Sequence, residues 1–336
     1  GYVRYRLETD HEATANVNEA NEKAKAVYKF TTPVNDTVTS NVKIVAGESS
    51  TAAGDTKASM AVTEANFVVK AGSATIIAGL QTSQSPFFAN NGDTRSHGVT
   101  VIKPLNKSLT LAGAYYTTTV AGAMAGGNGY LSENVTALAA IGKVSNINYA
   151  LWYATAQDGA DVSDVALANT GLSGISATSI ELSTAVSGVN VQLMTTTLTT
   201  DQTKDTGVTK LVASGKAGNV SYVAGYATTE KDGGMTAFDT DSDAKSDLSM
   251  HVLNMAATSD SSAVLVGASL PVGPTTVAVN LLSGSGATAA TDFDETDVKV
   301  SYAMSKNFNA SLTYGTGTTP AQADFATSRI EVKYTF

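Results

Sequence analysis

Charged side chains recur at even spacing in several short stretches of this chain: Arg4, Arg6 and Glu8; Lys25 and Lys29; Arg329, Glu331 and Lys333. Even spacing in an extended strand puts all members of a stretch on one face. Lys43 and Glu64 fall on strand candidates that follow closely. A wall carrying Arg4, Arg6, Lys25, Lys29, Lys43, Arg329 and Lys333 sets up a field across any narrow wet passage beside it, and such fields sort ions by sign. A structural role competes with this one. Glu8 and Glu331, which with Glu64 are the acids expected to line the same passage, can pair with these bases and hold the wall still.

A second cluster lies in Ser83–His97, SQSPFFANNGDTRSH. Phe87 and Phe88 are an apolar pair in a polar loop, and such a pair seeks burial. We expect the loop to fold onto an inner wall and bring Asp93, Arg95 and His97 to the narrowest point. The competing arrangement is an external loop whose phenylalanines pack on a neighbouring loop or subunit. A third cluster, Asp239, Asp241, Asp243 and Asp247, has acids close enough to converge on calcium. The helix–loop–helix calcium pattern asks for Gly at its sixth place and Glu at its twelfth, where this chain has Ala244 and Met250. A solvated acidic tip therefore competes with the metal site, and no cofactor is required.

Enzymatic readings find little support. With three histidines and no cysteine, zinc sites and Cys–His pairs are excluded as expectations. Ser96, His97 and Asp93 lie on one loop, and adjacency does not make a catalytic triad. The glycines between Gly122 and Gly129 lack the Lys-Ser/Thr of a phosphate loop.

The elements that position these residues follow from composition and rhythm. Only 15% of the 336 residues are charged, against about 25% in soluble globular proteins. No stretch approaches the roughly 20 apolar residues of a membrane helix. The net charge of −9 arises largely from acids between strand candidates, so no basic face is offered to nucleic acid. The chain begins at Gly1 without an apolar leader, which reads as an exported, mature form.

Alternating segments of about ten residues run throughout. In the final stretch Ile330, Val332, Tyr334 and Phe336 share one face, and Arg329, Glu331, Lys333 and Thr335 the other. Lipid outside and a wet lumen inside explain such alternation. Eight short turns, such as Ala71–Ser73, Ser187–Gly188 and Val272–Pro274, alternate with nine longer connections. The predicted fold is all-β: a single transmembrane antiparallel barrel over 1–336 with 18 strands, short periplasmic turns and long extracellular loops. Ser246–Ser259 can be read as a nineteenth strand, but an odd count would reverse the last one. It is therefore assigned to the long loop 230–261, as a turn carrying Leu248, Val252 and Met255.

The opening GYVRYRLETD, the stretch ATIIAGLQTSQSPFFANNGDTRSHGVTVIKP and the ending TSRIEVKYTF resemble the major outer membrane porins of Campylobacter-type bacteria. That resemblance implies an eighteen-stranded homotrimer in a Gram-negative outer membrane, in contact with lipid and lipopolysaccharide. It also implies passive diffusion of ions and small polar solutes past a constriction built by the third loop, and calcium near the pore in some members. The expectation is a general-diffusion porin. A substrate-selective channel for one anion or sugar is the first alternative, and an exported β-rich surface-layer or adhesin protein the second.

Overall fold

The computed structural model describes residues 1–12, 17–47, 60–82, 86–87, 95–119, 134–157, 175–199, 205–234, 248, 250, 252–253, 255, 258–286, 292–319 and 322–336. Eighteen strands are present, as predicted. The first six are β1 (Tyr2–Glu12), β2 (Val17–Pro33), β3 (Val38–Gly47), β4 (Met60–Ala71), β5 (Ala74–Thr82) and β6 (Arg95–Asn106). The next six are β7 (Leu109–Thr119), β8 (Asn134–Val144), β9 (Ile147–Gln157), β10 (Ile175–Val186), β11 (Val189–Thr199) and β12 (Asp205–Ala217). The last six are β13 (Val220–Thr229), β14 (Ser262–Val272), β15 (Thr275–Ser285), β16 (Phe293–Ala303), β17 (Phe308–Thr319) and β18 (Gln322–Thr335).

Each strand pairs antiparallel with the next, and β1 pairs with β18, so the sheet closes. Closure removes every edge, the condition for a sheet to cross lipid. Gly1 and Phe336 exchange hydrogen bonds at the seam, at 3.0 and 3.1 Å. Tight turns set the register. Gly72, Gly218 and Gly273 open two-residue turns with φ of 60 to 61°, a geometry that suits strand twist and that glycine adopts without steric cost. At the β2–β3 turn, Asn35 Oδ1 accepts the N–H groups of Thr37 and Val38, both at 2.9 Å, in place of a backbone acceptor.

The outer face is apolar and exposed, with Tyr5, Phe30, Leu138, Leu151, Val266 and Ile330 all more than 40% accessible. A surface of this kind belongs in lipid. Tyr28, Phe308, Tyr334 and Phe336 cluster at the turn end, with ring centroids 5.5–6.3 Å apart. Amphipathic rings favour the headgroup level, so these suit one girdle.

Several strand ends differ from the sequence reading. The first long connection was expected over Thr9–Lys23, but the β1–β2 ladder continues to Glu12 opposite Val17. The ninth, expected over Thr318–Ala326, shrinks because β17 runs to Thr319 and β18 starts at Gln322. Above the bilayer both faces of a strand are wet, so pairing persists where the apolar alternation has stopped. Leu248, Met250, Val252, Leu253 and Met255 lie between β13 and β14 and outside any strand, which keeps the count even.

Candidate functional site

The inward positions of β18, β1, β2, β3 and β4 bring the predicted bases together. Register sets Arg4 between Lys333 and Lys25, Arg6 between Glu331 and Lys23, and Glu8 opposite Arg329. Lys29 faces Lys43, which faces Glu64. The acids are shared among several cations. Glu331 accepts Arg6 Nε at 2.5 Å and lies 3.9 Å from Arg4 Nε. Glu8 meets Arg329 at 2.5 Å, Lys23 at 2.8 Å and Arg6 at 3.8 Å. Glu64 meets Lys29 at 3.4 Å and Lys43 at 3.6 Å. Lys333 Nζ sits 4.4 Å from the centre of the Tyr2 ring, a cation–π contact.

The expected pairing of acids and bases is present on this ladder. Among the described side chains, three carboxylates tie the wall together and share six of its eight cations, so positive charge is in excess there. Lys23 was missed by the sequence reading, which ended its loop there. Its parity with Lys25 was the available signal.

The opposite wall carries an apolar cluster. Phe87 is fully buried against Tyr116, Val135, Ala137, Ala154, Ala177 and Leu198, inward positions of β7 to β11. Phe87 thus lies against the inner wall, and Phe88 falls outside the described residues. The residues expected at the constriction fare differently. Asp93 lies outside the described residues, as does the side chain of Arg95. His97 is exposed and alternates with buried Ser96, sharing the outer face of β6 with Val99. Its placement beside the passage is corrected: β6 begins at Arg95, so strand parity turns His97 outward.

A second connection folds inward, which the sequence reading did not anticipate. Leu248, Leu253 and Met255 are buried against Val208, Ala227, Ala263, Leu282, Phe293 and Phe325 of the β12–β18 wall. The Glu295 carboxylate on β16 accepts the N–H of Leu253 at 2.7 Å and that of Val252 at 3.1 Å. Glu295 is 1% exposed and Asp297 6%, on the same face of β16 as buried Phe293. Val252, which the sequence places on the same turn as Leu248 and Met255, is exposed. Asp239, Asp241, Asp243 and Asp247 lie outside the described residues. Among the described residues no cluster of three metal-ligating side chains occurs.

Between the ladder and the apolar wall lies a cavity of about 370 Å³, bounded by Lys29 and Glu64 on one side and Tyr116 and Trp152 on the other. A hydrogen-bonded floor joins the two. Asn41 donates to Asn66 at 3.2 Å, and Asn66 to the Leu80 carbonyl at 3.2 Å. Gln81 donates to the Gly98 carbonyl at 3.1 Å and accepts Thr100 at 3.1 Å. The Thr100 and Tyr116 hydroxyls are 3.2 Å apart. The polar floor is therefore held rigid by its own contacts.

No family model matches the chain, and no curated protein matches it by sequence. Solved structures do match in fold. Pseudomonas aeruginosa OpdK, solved with vanillate, superimposes with a TM-score of 0.76 at 14% identity, over 99% of this chain and 96% of that one. Pseudomonas aeruginosa OccK5 (OpdH) gives 0.75 at 12% identity, again over 99% and 96%. Acinetobacter baumannii OccAB4 gives 0.71 at 11% identity over the same shares. At such identities the likeness is one of fold. The chain has the closed eighteen-stranded barrel of Gram-negative outer-membrane channels; the likeness does not single out the Campylobacter-type porins among barrels of this kind.

Proposed function

We propose that this protein is a substrate-selective channel of a Gram-negative outer membrane that passes small organic anions, carboxylates foremost, without energy input. The observation that carries this reading is the ladder with its excess of cations over carboxylates on one lumenal wall. Fixed positive charge in a narrow passage raises the local concentration of anions. Two inward-folded connections narrow the lumen, which favours selection over the general diffusion expected from sequence. The vanillate in the OpdK structure, an aromatic carboxylate, supports the same solute class.

The working unit in this reading is a homotrimer, its apolar belt against phospholipid and lipopolysaccharide, as the resemblance to Campylobacter-type porins implies. Cross-linking to a three-copy band tests that stoichiometry. The solute class is tested by proteoliposome uptake of a small carboxylate against an uncharged sugar of equal size. The carboxylate enters several-fold faster if the ladder governs passage. Equal rates would return the protein to general diffusion, and a barrel that conducts nothing would favour a surface-structural role.

A further inference from the structure

Charge divides along the barrel axis. Apart from the ladder and the paired chain ends, the turn end carries exposed Lys70, Lys107, Lys143, Lys216 and Lys306, with the acid Asp36 among them. At the loop end Asp232, Asp260, Asp292, Asp294 and Asp324 are exposed. Three of the lysines occupy one register position in three hairpins. Lys70 faces Thr75, Lys143 faces Asn148 and Lys216 faces Ser221, each one pair short of the turn. Strand parity turns them to the lumen, on the same faces as Val68, Ile141 and Val212. Their strands are β4, β8 and β12, and the next in that series, β16, ends in the turn that holds Lys306. A lysine thus recurs every fourth strand around the exit. Neighbouring turns fix the backbone here, since the Lys70 N–H donates to the Thr37 carbonyl at 2.8 Å and that of Lys143 to the Ser108 carbonyl at 3.1 Å. Among the described residues none of these four lysine side chains makes an ion pair.

We propose that this lysine ring is a docking surface for an acidic segment of a periplasmic protein. Spacing decides against a small solute. Neighbouring strands lie about 4.8 Å apart, so lysines four strands apart are separated by roughly 19 Å along the wall. Charges screened over about 8 Å at physiological salt cannot hold one small anion jointly across that gap. An extended chain rises about 3.3 Å per residue, so roughly six residues of an acidic segment bridge two lysines. Direction decides against membrane lipid. Headgroups surround the outer face, whereas Lys70, Lys143 and Lys216 turn inward around the exit. A partner that meets them approaches along the axis from the periplasm and carries the opposite charge. The ring is separate from the ladder, because β8 and β12 lie outside the β18–β4 wall. A segment docked there stands where solute leaves the lumen.

The test adds oligoglutamates to either side of single channels in a planar bilayer and reads block of the current. Decaglutamate at the turn side should half-block at a concentration at least tenfold lower than triglutamate, which is too short to bridge two lysines. The same advantage, at least tenfold, is expected over decaglutamate added at the acidic loop side. Lys143→Glu with Lys216→Glu should abolish both ratios while open-channel conductance stays within about twofold. Lys143→Gln with Lys216→Gln provides a gentler pair if the first does not fold. Equal block from both sides, block independent of length, or ratios untouched by either pair would overturn the ring as a docking surface. Anisotropy of fluorescent decaglutamate with the protein in nanodiscs of zwitterionic lipid reads the same binding without a current. Binding to a barrel that conducts nothing supports the ring and removes only the channel assignment. Displacement of decaglutamate by short-chain phosphatidylglycerol at equal total charge would assign the lysines to lipid headgroups and overturn the protein partner.

Discussion

From β18 through β4 the inward positions carry Arg329, Arg4, Arg6, Lys25, Lys29 and Lys43; from β7 through β11 they carry Ala112, Ala137, Ala154, Ala177 and Leu198. The outer faces of the two regions are alike, with Tyr5 and Phe30 exposed on one and Leu138 and Leu151 on the other. Lipid imposes one rule outside, whereas the lumen leaves each wall free to take its own chemistry. The charged wall holds its shape through shared carboxylates, with Arg4 and Arg6 both against Glu331. The apolar wall draws in Phe87 and so positions a loop. A passage between them presents charge on one side and an apolar cluster on the other.

The comparison breaks most severely if the charged wall is inverted. Arg4→Glu with Arg6→Glu places two new acids beside Glu8 and Glu331, and selectivity should change sign in a salt gradient. Unchanged selectivity would show that the acidic mouth governs passage and that the ladder is structural. On the apolar wall, Phe87→Ala should cost about 3–5 kcal/mol locally, as large-to-small changes in buried sites do. The expected signs are a lower temperature for heat modification on gels and a larger unit conductance with selectivity unaltered. Loss of selectivity together with the loop would mean that the two walls do not act independently.

Smaller effects sharpen the same contrast. Glu295→Ala removes the acceptor of the Val252 and Leu253 N–H groups, an effect of about 1–3 kcal/mol, and should raise protease cleavage within 230–261. Resistance equal to the native protein would mean that Leu248 and Met255 hold this loop without Glu295. Glu8→Gln should have the smallest effect. It frees Lys23, Arg6 and Arg329 from a shared carboxylate, while the isosteric amide keeps an acceptor oxygen in its place. The measured outcome is a modest rise in anion preference with folding intact, and a fall would contradict the excess of positive charge.

Much of the barrel was legible in the sequence because lipid and turn geometry act locally. Ile330, Val332 and Tyr334 announce an outer face by alternation alone, and Gly72, Gly218 and Gly273 mark turns through a conformation few residues adopt. The ladder was legible for the same reason, since parity places Arg4, Lys25 and Arg329 inward. Phe87 was legible as an apolar residue in a polar setting. Glu295 was not. An acid next to Asp294 and Asp292 reads as loop, and only the approach of Val252 and Leu253 from a distant connection gives it a role. His97 failed for a related reason: its side depends on where β6 begins, and polar strand ends above the bilayer carry no hydrophobic signal.

The most direct test is the reversal potential of the purified native channel in a tenfold salt gradient at low ionic strength. The protein carries a net charge of −9, much of it in acids between strands, so overall charge and ladder predict opposite signs. At about 0.1 M salt, screening extends over roughly 10 Å, short enough for wall charges in a narrow lumen to dominate over distant ones. A potential of the sign set by chloride permeation supports the ladder as the element that selects. A potential set by the cation would contradict it and assign selectivity to the acidic mouth.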